Sequence, residues 1–148
     1  MPEEFVHELR VRYGECDPQS IVFNANYLLY FDVAFTELWR AAVGPWQDMV
    51  ARGIDAVVAE AHLSFRAPAR YDDDLELRAQ ILRLGETAVT TGIDVMRDGD
   101  LLVAGRLRHV CVSTPSSTDS MRSQPWPPDI RAGLARYASE SGDDPGPR

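Results

Sequence analysis

Asp17 is followed by Pro18, and a few residues later Asn26 and Tyr27 open a long apolar run that reads as a helix. An acid held in a tight turn just ahead of a helix is a pattern able to do acyl-transfer chemistry. The first amides of a helix lack internal acceptors and carry partial positive charge, so an acyl oxygen can bind there. A nearby carboxylate can then activate water or attack the carbonyl itself. A simpler reading stands beside this one, because an aspartate before proline also caps turns without doing any chemistry.

Other reactive side chains offer less. Cys16 lies next to Asp17, but a thiol nucleophile needs a base that the sequence does not place, and a small buried cysteine is the more usual case. Cys16 and Cys111 are far apart and match neither a disulfide framework nor a zinc site, and no metal is expected. His7, His62 and His109 fall on predicted strands without metal spacing; Glu60 and His62 share a strand face and can line a site. Asp32 sits inside the apolar helix, where it can orient a substrate, meet an arginine across an interface, or serve as a paired structural carboxylate. Every basic residue is arginine, so each cationic position presents a planar fork suited to phosphate. Arg83, Arg97, Arg106 and Arg108 lie on the later strands, with Arg106 and Arg108 on one side by the two-residue repeat, although a solvated outer sheet face explains any one of them equally well.

The elements that must position these groups follow from periodicity. Residues 5–13 alternate as a half-buried strand, and 14–24 carry the Gly, Asp-Pro, Ser and Asn of a loop. Asn26 is the expected N-cap of a helix over 27–43, stopped by Gly44 and Pro45. Apolar residues cover most of its circumference and leave Asp32, Thr36, Glu37 and Arg40 as a polar stripe, so the helix belongs inside something. A short helical piece over 46–52 precedes four strands at 54–66, 74–84, 87–97 and 101–113, with Asp98-Gly99 as a tight hairpin turn. One helix against one antiparallel sheet makes the class α+β, with consecutive strands expected to be neighbours. A Ser-rich linker after Pro115 leads to a short helix over 129–137. A single domain is expected over 1–138, followed by a disordered tail over 139–148.

The whole chain limits the functions available. At 148 residues one core is expected, and a net charge of -8 disfavours nucleic acid, whose phosphates call for a basic face. The start lacks the basic and apolar segments of a secretory signal, and no stretch is apolar for the ~20 residues that a membrane span needs. The expected location is the cytoplasm, with no membrane partner.

Two segments together resemble a known family. The stretch from Arg12 to Asp32 (RYGECDPQSIVFNANYLLYFD) and that from Phe65 to Leu77 (FRAPARYDDDLEL) are similar to the 4-hydroxybenzoyl-CoA thioesterase and related acyl-CoA thioesterase family, and the resemblance runs from about Leu9 to Val112. It implies a hotdog fold, an antiparallel sheet wrapped around a long central helix, assembled as a homodimer or homotetramer with active sites at subunit interfaces. It also implies hydrolysis of acyl-CoA to a carboxylic acid and coenzyme A, without a cofactor. The family's acid falls on Asp17, and its oxyanion-binding amide corresponds to about Asn24. Ser20, Ile21, Val22, Phe23, Asn26 and Tyr27 are then candidate substrate contacts, with Asp32, Glu60 and His62 behind them and Arg83, Arg106 and Arg108 available for the phosphates of coenzyme A. Family members often have Gly where this chain has Ser20, a side chain that could narrow the acyl pocket or add a hydrogen bond. Three other readings stay open: hydration or dehydration of the thioester, hydrolysis of an acyl-carrier-protein thioester, and a non-hydrolytic acyl-thioester binding module.

Overall fold

The computed structural model describes residues 2–114 and 122–139, so the Ser-rich linker and the tail from 140 onward lie outside the described residues. Five antiparallel strands, β1 (Phe5–Arg10), β2 (Ile54–Phe65), β3 (Asp74–Leu84), β4 (Ala88–Arg97) and β5 (Asp100–Ser113), form one sheet in the order β1-β3-β4-β5-β2. Three helices accompany them: α1 (Asn26–Val43), α2 (Trp46–Ala51) and α3 (Pro128–Ala135). The limits of β3 agree with the periodicity, and the β4–β5 hairpin turns on Asp98 and Gly99 at φ 52° and 85°, the paired positive values that a two-residue turn needs. This is the α+β hotdog arrangement, a sheet wrapped on one long helix.

Two expectations change. Consecutive strands are not all neighbours: β2 pairs with β5 at one edge, while β1 pairs with β3 at the other. An 18-residue helix is roughly 27 Å long, enough to carry the chain from one edge of the sheet to the other. The return from β2 to β3 then straps across the strand ends. Arg66 N–H and Ala67 N–H donate to Leu102 O on β5, and the Arg97 guanidinium at the end of β4 donates to Pro68 O and to Asp73. The second change is at β1, which stops at Arg10 instead of running to Tyr13. Glu15 accepts the Arg12 N–H at 2.8 Å, which turns the chain into a 3-10 turn over Tyr13–Glu15 and takes it out of the ladder.

The core lies between α1 and the concave sheet face. Tyr27, Tyr30, Phe31, Ala34, Phe35, Leu38, Trp39 and Ala42 form the buried stripe of α1, against Leu75, Leu77, Ile81, Val89, Ile93, Val95, Val103 and Leu107. Gly105 makes room for this packing: a Cβ there would stand 2.1 Å from the Phe31 ring. Leu28, Leu29 and Val33 on the far side of α1 are exposed in the single chain, which burial against the sheet alone leaves unexplained. Ser139, placed in the tail by composition, donates its N–H to Ile81 O at 2.9 Å.

Candidate functional site

The segment from Tyr13 to α1 is a compact loop closed at its neck. Cys16 and Val22 face each other in an antiparallel bridge, and Asp17 N–H donates to Ile21 O at 2.8 Å. Inside the loop, Ser20 N–H donates to Asp17 O and Gln19 N–H donates to Asp17 Oδ1 at 2.8 Å. Asp17 therefore caps its turn with one carboxylate oxygen and keeps the other for something else. Ser20 stands at φ 64°, in the left-handed region that glycine enters without a steric cost, which is a physical reason for the glycine seen in the family at this position.

Asn26 does not cap the helix. It is the first helical residue, and its Nδ2 donates to Glu15 O at 2.8 Å, tying α1 back to the turn. The Phe23 N–H donates to the same carbonyl at 2.9 Å. Asn26 N–H and Tyr27 N–H return to Phe23 O and Asn24 O, but the Asn24 N–H has no acceptor among the described residues. Glu15 itself is buried, and its carboxylate is held by Arg12 and by the Tyr30 hydroxyl at 2.9 Å. Burial opposes its charge, yet the Arg12 guanidinium, the Arg12 N–H and the Tyr30 hydroxyl together hold the carboxyl below the ordinary glutamate range. Burial first, and the Glu15 carboxylate second, push the Tyr30 phenol well up.

A cleft of about 430 Å³ opens beside this loop, lined by Asp17, Gln19, Ile21, Val22, Asn24 and Tyr27 on one side and by Phe65, Arg66, Ala67 and Pro68 on the other. Half-buried Asp17 and the Asn24 segment thus share one cavity, walled by the start of α1 and the end of β2. The Tyr27 hydroxyl accepts the Ala69 N–H at 3.2 Å, and the Tyr27 ring meets Phe65 at 5.6 Å, so the two walls are fastened together. Ser20, Phe23 and Asn26 lie in the loop but outside the lining of this cleft: Ser20 and Phe23 are turned to solvent, and Asn26 is committed to Glu15.

The remaining candidates lie elsewhere. Glu60, His62, Arg83, Arg106 and Arg108 line a broader groove of about 840 Å³ on the sheet. The register explains their meeting, since His62 pairs with Arg106, Glu60 with Arg108, and Thr90 with both Arg108 and Arg83 across neighbouring strands. Arg108 makes an exposed ion pair with Glu60 at 3.6 Å. Arg97, grouped with these arginines by strand position, is instead paired with Asp73 beneath the β2–β3 strap. Asp32 lies on the exposed side of α1, where neighbouring side chains shield its carboxyl partly from water and raise it above the usual range.

Sequence reasoning missed two things. One is the far wall of the cleft, Phe65 to Pro68, although the motif containing it was noticed; only the strap across the strand ends brings it to Asp17. The other is the Glu15, Arg12 and Tyr30 cluster. Its signal was Arg12 and Glu15, opposite charges three residues apart where the alternation gives way to the loop, with Tyr30 on the inward stripe of the helix.

A five-stranded sheet in this order around one long helix, with an acid-bearing loop at the helix start, defines the hotdog class. Within that class, the thioesterase superfamily model matches residues 19–104, a span beginning two positions after Asp17. The chain is 31% identical over 105 residues to the acyl-CoA thioester hydrolase YbgC of Escherichia coli O6:H1, covering 70% of this chain and 78% of that one. It is 27% identical over 135 residues to 4-hydroxybenzoyl-CoA thioesterase of Pseudomonas sp. strain CBS-3, covering 87% and 96%. The solved structure of the hypothetical protein TT1821 from Thermus thermophilus superposes with a TM-score of 0.82 at 32% identity, covering 90% of this chain and 98% of that one. This chain belongs to the thioesterase superfamily.

Proposed function

We propose that this protein hydrolyses acyl-CoA thioesters to a carboxylic acid and coenzyme A, with Asp17 and the Asn24 N–H acting on the same carbonyl. The observation that carries the reading is their shared cleft, with one Asp17 oxygen and the Asn24 amide both uncommitted among the described residues. The Asn24 N–H, at the positive end of α1, would hold the carbonyl oxygen as it gains charge. Asp17 would take the proton of a water that adds to the carbonyl carbon and pass it to the thiolate as collapse breaks the C–S bond; or it would add to that carbon itself and expel the thiolate, leaving a mixed anhydride that water then hydrolyses to free the carboxylic acid and Asp17 and to supply the thiol proton.

Two further groups complete the proposal. The arginines of the sheet groove supply positive charge for the phosphates of coenzyme A. Two copies of the chain associate along the free edge of β2, which also covers the exposed apolar residues Val58 and Phe65 of β2 and Leu28, Leu29 and Val33 of α1.

The test is thiol release from a panel of acyl-CoA esters, with acyl-carrier-protein thioesters assayed in parallel. Asp17→Asn is expected to lower turnover by ~10² to 10⁴-fold. Full activity in that variant would overturn the assignment, and faster turnover of the carrier-protein substrates would move the thiol carrier from coenzyme A to that protein.

A further inference from the structure

Glu15 is the one buried carboxylate among the described residues, and it bonds to the chain on both sides of the segment that carries Asp17. Its Oε1 accepts from Arg12 N–H at 2.8 Å and from the Tyr30 hydroxyl at 2.9 Å, and its Oε2 accepts from Arg12 Nε at 2.9 Å and from Arg12 Nη2. Its own carbonyl accepts from Phe23 N–H and from Asn26 Nδ2. One residue therefore joins the chain entering the loop, the chain leaving it, and two successive turns of α1.

We propose that Glu15 is a positioning residue: through these six contacts it sets the distance between the Asp17 carboxylate and the Asn24 N–H, and so acts on catalysis without touching substrate. The proposal rests on the hydrolase reading above. Asp17 lies two residues after Glu15, and Asn24 directly follows the Phe23 whose amide Glu15 holds. The Cys16–Val22 bridge closes the neck of the loop, and the Ile21–Arg70 bridge with the Val22 N–H bond to Ala69 O ties its far side to the β2–β3 strap, but none of these joins the Glu15 turn to the second turn of α1. The Tyr30 bond makes that join, since Tyr30 is locked in the core and its ring packs edge-on against Tyr27, a wall of the cleft.

The chemistry of the residue supports positioning over stability. The Glu15 carboxylate is buried while the Arg12 side chain that meets it is largely exposed; a buried carboxylate must be met by donors in the right places and so selects one geometry. Pairing with Arg12 also cancels the Glu15 charge, which leaves Asp17 as the uncompensated acid of the loop.

Glu15→Gln keeps the side-chain length but turns an amide toward the Arg12 fork, and Tyr30→Phe removes only the helix anchor. Both are to be assayed for thiol release well below their melting temperatures, each alone and in an Asp17→Asn background. Glu15→Gln is expected to lower kcat by ~10 to 100-fold with KM within about threefold, and Tyr30→Phe to lower it by ~3 to 10-fold, because a lost alignment is felt in the transition state. In the Asp17→Asn background neither should cost more than about twofold, since a group that acts through Asp17 has nothing left to align. Full kcat in both single variants, or losses that multiply with Asp17→Asn, would overturn the proposal and leave the hydrolase reading intact. Full activity of Asp17→Asn alone would instead remove Asp17 from the reaction, and this proposal with it, whereas no thiol release by the parent from any acyl-CoA would remove the hydrolase reading itself.

Discussion

The Asp17 loop and the arginine groove on the sheet hold their charged groups in opposite ways. In the loop, the buried carboxylate of Glu15, the Asn26 amide and three backbone bonds between residues 15 and 23 leave Asp17 little freedom. In the groove, Glu60, His62 and Arg83 are exposed and Arg108 is paired with Glu60 only at 3.6 Å across the strands. Bond breaking needs reacting atoms placed to a fraction of an ångström, whereas attraction of a phosphate needs charge density and tolerates mobile side chains. The difference is what one expects if the first region does the chemistry and the second holds the anionic end of a substrate.

That comparison can be broken at several points. The largest expected effect is the loss at Asp17 already described, which should appear in kcat. A change confined to KM would place Asp17 with the binding groove.

The next effect concerns the frame under both regions. His109 on β5 is 4% exposed, stacks on Phe35 of α1 at 3.8 Å, and its Nδ1 has no hydrogen-bond partner. Burial lowers its pKa from 6.5 to about 4. Because the folded pKa is depressed, the unfolded chain takes up the proton first as pH falls. The contribution is therefore fully present above pH 6.5 and is lost between there and pH 4, by about 3 kcal/mol. Denaturant titrations at pH 7 and pH 4.5 should show this loss in the parent and a smaller one in His109→Phe, which keeps the stacking. Equal losses in both would rule out His109 as the cause.

A smaller effect belongs to the groove. Arg83→Ala together with Arg108→Ala should raise KM for acyl-CoA by ~10-fold and leave kcat unchanged. The penalty should vanish for an acyl-pantetheine substrate, which lacks the nucleotide phosphates. A kcat loss of the same size would show that the two regions are not separable. The smallest effect returns to the loop, where Ser20→Gly should relieve the left-handed backbone and raise stability by about 0.5–1 kcal/mol, read as a shift of ~1–4 °C in melting temperature.

Much of this molecule was legible locally. Alternation set β3 and β4 to within a residue, Asp98-Gly99 marked the β4–β5 turn, and the apolar run ending at Gly44 marked α1. Each of these depends on residues a few positions apart, for which periodicity and turn geometry are sufficient physics. The place of Asp17 and Asn24 in a loop ahead of α1 was legible for the same reason, because loop and helix start are contiguous in the chain, while the roles proposed for them come from the family resemblance.

What the tertiary structure alone decided involves partners distant in sequence. Nothing local distinguishes a β2 that pairs with β5 from one that pairs with β3, so nothing local brings Phe65 and Pro68 to face Asp17 or gathers Glu60, Arg83 and Arg108 in one groove. Glu15 reads as a surface acid until Tyr30, fifteen residues later, buries beside it. Sequence determined which groups were available and how each short segment would bend. The free energy of closing the sheet around α1, a property of the whole chain, determined which of those groups would meet.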